Sequence, residues 1–441
     1  MQLSKRKQRV VDAIAAQGAG LRQLGEEIYR HPELGFKEHR TARLTAGFLR
    51  RLGLEPQEGL ALTGVKAVAR GGRPGPTVGL VCELDAAICY DHPEADRETG
   101  AVHACGHNLQ VTAALGALTG LVETGLLGGL AGNVALLAVP AEEAIDLEFR
   151  RSLQRDGVLA YLGGKQEFLR LGLFDDVDVA LNVHADLAPG GERRVRLVQT
   201  SNGFVVKAAR FLGQAAHAGA APWEGVNALN ACLMGLMGIH AQRETFRDQD
   251  TVRVHPIITA GGAGVNVVPS DVKMETYVRA ATVEAMRDAN AKVNRALRAG
   301  ADCVGARLDL SDLPGYLPFR ADPGLGRLFA QNASLLLGER ACPSSDGGYH
   351  MTASSDLGDL SHYRPSVWAS IGCIAGGLHS PDYRVVDAEL AYVIPAQILA
   401  LTVLDLLSGD GEGAREIAGR FAPSFARETF GAFWADILGK S

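Results

Sequence analysis

Short apolar runs, each closed by turn residues, recur at 77–82, 134–139, 177–183 and 367–373. Stretches with apolar positions at helical spacing separate them. The first, 5–53, sets Leu21, Leu24, Ile28 and Tyr29 on one face before the break at His31-Pro32-Glu33. Buried strands alternating with helices predict an α/β fold on a mostly parallel sheet. The longest apolar tract, 111–140, is interrupted by Glu123, Asn133 and several glycines. It reads as a helix near 109–122 followed by a buried strand, and not as a membrane span.

The middle of the chain changes pattern. Strand periodicity at 204–211 gives way to a long helix over 225–246, strands at 251–260 and 272–280, a helix over 282–299 and a strand at 306–310. The order βαββαβ is that of a ferredoxin-like unit. It predicts a domain at 199–314 inserted between two parts of the α/β domain, 1–198 and 315–441.

A chain of 441 residues is too long for one compact core, consistent with that division. The net charge of −6 and the lack of a basic stripe exclude nucleic acid as a partner. The basic residues 1–9 lead into Val10-Val11-Asp12 without the apolar core of a signal peptide. Seven cysteines, odd in number and without regular spacing, form no disulfide framework, so a reducing, cytoplasmic setting is expected. Six read as small buried hydrophobes. Cys105 does not.

Candidate chemistry gathers at the predicted strand ends. Strand 77–82 runs into Glu83-Leu84-Asp85, and a loop then reaches His103-Ala104-Cys105-Gly106-His107-Asn108. Strand 134–139 ends at Pro140-Ala141-Glu142-Glu143, strand 177–183 at His184, and 367–373 leads to His379. Open α/β sheets place their ligand crevice at this edge. Thiolate, imidazole and carboxylate together suit zinc, manganese, cobalt or nickel better than calcium or magnesium. Cys105 and His107 can face one ion from a turn, which Gly106 permits. Metal-assisted hydrolysis also needs a base for the attacking water, and two adjacent glutamates can divide that work, one on the metal and one over the water. Asp85 would orient a ligand from behind.

These residues resemble the metallopeptidase family of aminoacylases, the folate-cleaving bacterial carboxypeptidase and peptidase T. Within it they are most similar to the amidohydrolase branch of hippurate, auxin-conjugate and p-aminobenzoyl-glutamate hydrolases. The branch marker His-Ala-Cys-Gly-His stands at 103–107. The similarity extends to His31-Pro32-Glu33-Leu34-Gly35-Phe36, Pro140–Glu143, Ala216-His217-Ala218, Pro222-Trp223-Glu224-Gly225-Val226-Asn227-Ala228, Val265-Asn266-Val267-Val268-Pro269 and His379-Ser380-Pro381.

The resemblance implies a catalytic domain of zinc-peptidase type with an inserted lid that also forms a homodimer. It makes Glu142 the general base and gives Cys105, His107, Glu143, His184 and His379 to one or two divalent ions, manganese or zinc before cobalt or nickel. It has His217 stabilise the oxyanion and Asn266 touch substrate. Two positions depart from the branch. Asn108 stands where aspartate is usual, and Glu83 where the branch has aspartate and the wider family a metal-binding histidine. The Cys-Gly-His-Asn form resembles a sub-branch acting on unusual dipeptides.

The expected activity is therefore cleavage of a C–N amide bond in a small N-acyl amino acid, aminobenzoyl conjugate or dipeptide, with Arg210 and Arg279 as candidates for a substrate carboxylate. Hydrolytic deamination of an aromatic amine by the same site is the alternative.

Overall fold

The computed structural model describes residues 3–342 and 348–440. The chain forms two compact units, one of residues 1–200, 320–350 and 359–427, the other of 201–319, 351–358 and 428–441.

The first unit is built on a nine-stranded mixed sheet. At its centre Ala131–Val139, Arg73–Glu83, Val179–Leu187 and Ser366–Ala375 lie side by side and parallel. These strands are buried on both faces, which is why they read as continuous apolar runs. Only the centre is parallel. Gly64–Arg70 and Gln57–Leu60 extend it antiparallel on one side, and Val195–Ser201 does so on the other. Apolar patterning passes over these flanking strands because charged residues such as Lys66 and Arg196 interrupt them.

Two apolar helices fill the space against the sheet. His107–Glu123 is buried through Leu121, and Ile394–Leu407 packs on it and on the strands. A helix apolar all round belongs in a core. Residues 388–407 are long and apolar enough to cross a bilayer, yet an 18-residue window within them is 94% buried in the fold. The N-terminal helical region is three helices, Lys5–Ala16, Gly18–Tyr29 and His39–Arg51, with His31-Pro32-Glu33 in the second gap.

The second unit holds a five-stranded antiparallel sheet. Its strands run in the order Arg253–Val254, Asp271–Ala280, Gly203–Leu212, Arg307–Tyr316, and Ile257–Ala260 also pairs with Asp271–Ala280. Helices Ala228–Ala241 and Val283–Cys303 pack on each other and on this sheet, closing a core that includes Phe211, Val272, Met274, Val278, Val293 and Leu297. Alternate residues of Asp271–Ala280 are buried, the signature of a sheet covered on one face. The single strand expected at 251–260 is two short ones. Pro256 between them has no N–H to donate to a ladder. The last strand continues past its expected end at 310 to Tyr316.

All seven cysteines are free, but the expectation of six buried ones needs correction: Cys303 is exposed and Cys89 half-buried.

Candidate metal centre

Strands, turns and one helix start bring the five expected ligands together in the first unit. Gly106, with φ +89°, caps the helix His107–Glu123, so the chain bends sharply between Cys105 and His107. A Cβ there would stand 2.6 Å from that of Ala185, which leaves room only for glycine. His184 does not follow its strand as expected but lies inside it, paired with Ser370 on Ser366–Ala375. His379 sits beyond Ser366–Ala375 in a left-handed turn, φ +55°, its N–H bonded to Ala104 O at 2.9 Å.

Two groups of donor atoms result, each with its members within 4.8 Å of one another. Cys105, His107 and His184 form one, Cys105, Glu143 and His379 the other, and the Cys105 sulfur is common to both. Cys105 Sγ lies 3.4 Å from His184 Nε2, and Glu143 Oε1 lies 2.9 Å from His379 Nε2. A third group joins Glu83, His107 and Glu142. Glu142 thus faces the His107 side, 3.8 Å from Nε2, while its neighbour Glu143 faces His379.

Asp85 ties the parts together. It is fully buried; Oδ1 lies 3.1 Å from His107 Nδ1, and Oδ2 accepts from Glu143 N–H at 2.8 Å. The carbonyl of Asp85 is also 2.9 Å from His107 Nδ1. With its proton held on Nδ1, His107 turns the Nε2 lone pair toward the cluster.

The electrostatics suit a cation. Burial and Glu143 push the Cys105 thiol up, but His184 and His107 outweigh them and hold it well below its ordinary value. Burial disfavours charge on His107, yet Glu83, Cys105 and Asp85 keep it well above the ordinary imidazole range. His379 also resists its burial, lifted to about 11 by Cys105 and Glu143. The two glutamates are driven apart. Burial, Glu83 and Glu143 raise Glu142 well above the usual carboxylate range, whereas His379 and His107 hold Glu143 below it against burial.

Buried His107 Nε2 and Glu143 Oε1 make no hydrogen bond, since their close partners Glu83 and His379 lie out of line. A soft thiolate shared by two imidazole-containing triads, with such unsatisfied donor atoms turned inward, fits one or two transition ions.

Several residues at the site have no role foreseen in the sequence. Glu83 receives Lys165 Nζ and Gln110 Nε2, each at 2.6 Å, and Lys165 is itself fully buried. Glu38 and Arg150, both buried, hold the turn that carries Glu142. A lone lysine in a helix or a glutamate among charged neighbours carries no local signal of such a role. Asn108 turns to the Gly25 carbonyl at 3.1 Å and the Tyr392 hydroxyl.

His217 and Asn266 belong to the second unit, where they are neighbours: Ala218 N–H donates to Asn266 O at 2.9 Å. His217 Nδ1 accepts from the N–H groups of Gly219 and Ala220, leaving its proton on Nε2. Arg210 pairs with Asp271 on the surface through two bonds of 2.8 and 2.6 Å. Arg279 stacks on Phe204 and Tyr277 and donates to Ser354 Oγ at 2.9 Å.

Comparison with known proteins bears on the same residues. The model of peptidase family M20/M25/M40 matches residues 85–404. The chain is 28% identical over 427 residues to the Xaa-Arg dipeptidase of Mus musculus, covering 91% of this chain and 89% of that one. It is 25% identical over 466 residues to one of the subunits of the p-aminobenzoyl-glutamate hydrolase of Escherichia coli, covering 91% and 92%. A dinuclear metal-binding peptidase of the M20 family from Bacillus subtilis shares the fold, with TM-score 0.65 at 20% identity over 89% of this chain and 99% of that one. The family match begins at Asp85 and takes in every ligand candidate, and the chain belongs to the peptidase family M20/M25/M40 as a metal-dependent hydrolase of carbon–nitrogen bonds.

Proposed function

We propose that this enzyme hydrolyses the amide bond of a small dipeptide, N-acyl amino acid or aminobenzoyl conjugate at a centre where Cys105, His107, His184, Glu143 and His379 would hold two divalent ions. The observation that carries this reading is the single sulfur common to two donor triads, with Glu142 beside the first and Glu143 a member of the second. The bound ions, manganese or zinc first, would supply an electrophile for the scissile carbonyl and make a water acidic near neutral pH.

Glu142 would accept a proton from the attacking water and pass it to the leaving nitrogen. Glu143, His379, His107 and His184 would hold the ions with Cys105, and Asp85 keeps His107 in the tautomer that can ligate. The domain 199–314 acts as a ferredoxin-like lid, whose strand order and paired helices support that reading. His217, with its proton on Nε2, is a donor for the developing oxyanion, and Asn266 beside it touches substrate. The lid also forms a homodimer, supported by the exposed apolar side chains Leu233, Met234 and Met237 on one helix. The free cysteines accord with a cytoplasmic enzyme.

The test is a panel of Xaa-Arg and other dipeptides, N-acyl amino acids, p-aminobenzoyl-glutamate and aromatic amines, run with manganese or zinc restored. Release of a free amino acid supports amide hydrolysis. Release of ammonia alone refutes it in favour of deamination.

A further inference from the structure

The turn that bears Glu142 and Glu143 does not hold its own shape. Ala141, immediately before Glu142, has φ +54°, a left-handed conformation that a residue with a Cβ keeps only when its surroundings impose it. Two buried polar side chains, Glu38 and Arg150, surround this residue. Ala141 N–H donates to Glu38 Oε1 at 2.8 Å, and Glu38 Oε2 is anchored by Thr63 Oγ1 at 2.5 Å. From the other side Arg150 Nη1 donates to Ala141 O at 3.2 Å and to Leu162 O at 2.7 Å, while Nη2 donates to Glu143 O.

The segment Leu34-Gly35-Phe36 completes the cradle. A Cβ on Gly35 would stand 2.9 Å from Ala141 Cα and Cβ, and the Arg150 guanidinium lies over the Phe36 ring at 5.4 Å. Phe36 and Ala141 share a small apolar cluster with Leu159. Burying a carboxyl group and a guanidinium is costly, and backbone groups of one turn are a large share of what they satisfy. Such a cost, met at this turn, points to a demand on its geometry.

We propose that Glu38 and Arg150 are positioning residues that hold Ala141 left-handed and so direct Glu142 and Glu143 to different parts of the metal centre. This rests on the reading of Glu142 as base and Glu143 as ligand. The role differs from general support of the fold because both residues act on the backbone of one turn, and releasing that turn separates the two carboxylates from their targets while the sheet and its core stay intact.

The test compares Glu38→Ala, Glu38→Gln and the double variant Glu38→Ala/Ala141→Gly with the parent, and Glu142→Gln in parallel. Glu38→Ala lowers kcat at least about tenfold with KM little changed, the order expected for a misplaced acid–base group. Hydrogen exchange of the metal-free protein accelerates in the peptide covering 140–146 and nowhere else. Glu38→Gln, whose amide oxygen still accepts the Ala141 N–H, restores both readouts. Glycine takes φ > 0 without strain, so the double variant recovers part of the lost kcat. Parental kcat and exchange in Glu38→Ala overturn the proposal. So do faster exchange throughout the first unit, or a double variant no better than the single one. Should Glu142→Gln retain full activity, the assignment of the base fails, whereas the local exchange in metal-free protein still reports on the brace by itself. Arg150→Lys provides a second variant: one ammonium cannot serve both carbonyls as the guanidinium does, so the same local exchange rises, and unchanged exchange there removes Arg150 from the proposal.

Discussion

Asp85→Asn probes the site with the smallest change of shape. In the parent, one buried carboxylate accepts from two donors on opposite sides, His107 Nδ1–H at 3.1 Å and Glu143 N–H at 2.8 Å. An asparagine has one oxygen for two donors. If its oxygen serves Glu143, its NH2 group confronts His107 Nδ1–H; if it serves His107, the NH2 group confronts the buried Glu143 N–H. The second arrangement leaves the buried Glu143 N–H unmatched, and the first sets two N–H groups against each other although the Asp85 carbonyl still accepts from Nδ1 at 2.9 Å, so the cost is about 1–3 kcal/mol. An imidazole that escapes the clash by moving its proton to Nε2 loses the lone pair it offers to metal. Converted at about 1.4 kcal/mol per tenfold, metal affinity falls roughly 5- to 150-fold, in line with the ~10–100-fold typical of lost orienting partners. Competition of the metal-free protein against a chromophoric chelator reads the affinity, and activity at saturating metal reads what remains. Because the shape is conserved, most activity returns once the metal is supplied in excess. Affinity within about twofold of the parent, less than 0.5 kcal/mol on the same scale, would refute the argument that Asp85 orients the ligands.

Glu142→Gln keeps its metal and loses about 10²–10⁴-fold in kcat, whereas Glu143→Gln loses metal first; elemental analysis beside steady-state kinetics separates them, and the reverse pattern exchanges the two roles. Cys105→Ser lowers the content of both ions together, because its sulfur is common to both triads, and loss of only one ion by elemental analysis contradicts a role for Cys105 in both. Metal binding tightens as pH rises toward neutrality and above, because the protons that His379, His107 and His184 hold more firmly than ordinary histidines must leave before metal enters. Calorimetry in buffers of different ionisation enthalpy measures that release, and none at neutral pH argues against it. Met237→Glu, at an exposed position of the helix Ala228–Ala241, shifts the protein from dimer to monomer in light scattering, and an unchanged mass relocates or removes the interface.

Much of this protein is legible in its sequence, for a local reason. The central parallel strands are buried on both faces, so each writes itself as an apolar run ended by turn residues. The donor residues stand just beyond or within those runs, and Cys105-Gly106-His107 is a complete local arrangement whose glycine is required by the backbone. The helix spanning 109–122 is likewise visible because it is apolar all round.

What the sequence does not carry is who meets whom. That Cys105 serves two triads, that Asp85 links His107 to Glu143, and that Lys165 pairs with Glu83 depend on strands aligned by the fold. Lys165 and Glu83 are 82 positions apart, and Glu38 and Ala141 are 103 apart, so no periodicity or motif joins them. The antiparallel flanks escape for a related reason: their pattern is interrupted by charges that only the finished packing accommodates, as Lys66 does by reaching the Leu173 carbonyl at 2.8 Å. Hydrophobic periodicity reports what a segment buries. Hydrogen bonds and ion pairs between distant segments, which set the proton positions and side-chain directions on which the chemistry turns, exist only once those segments are packed.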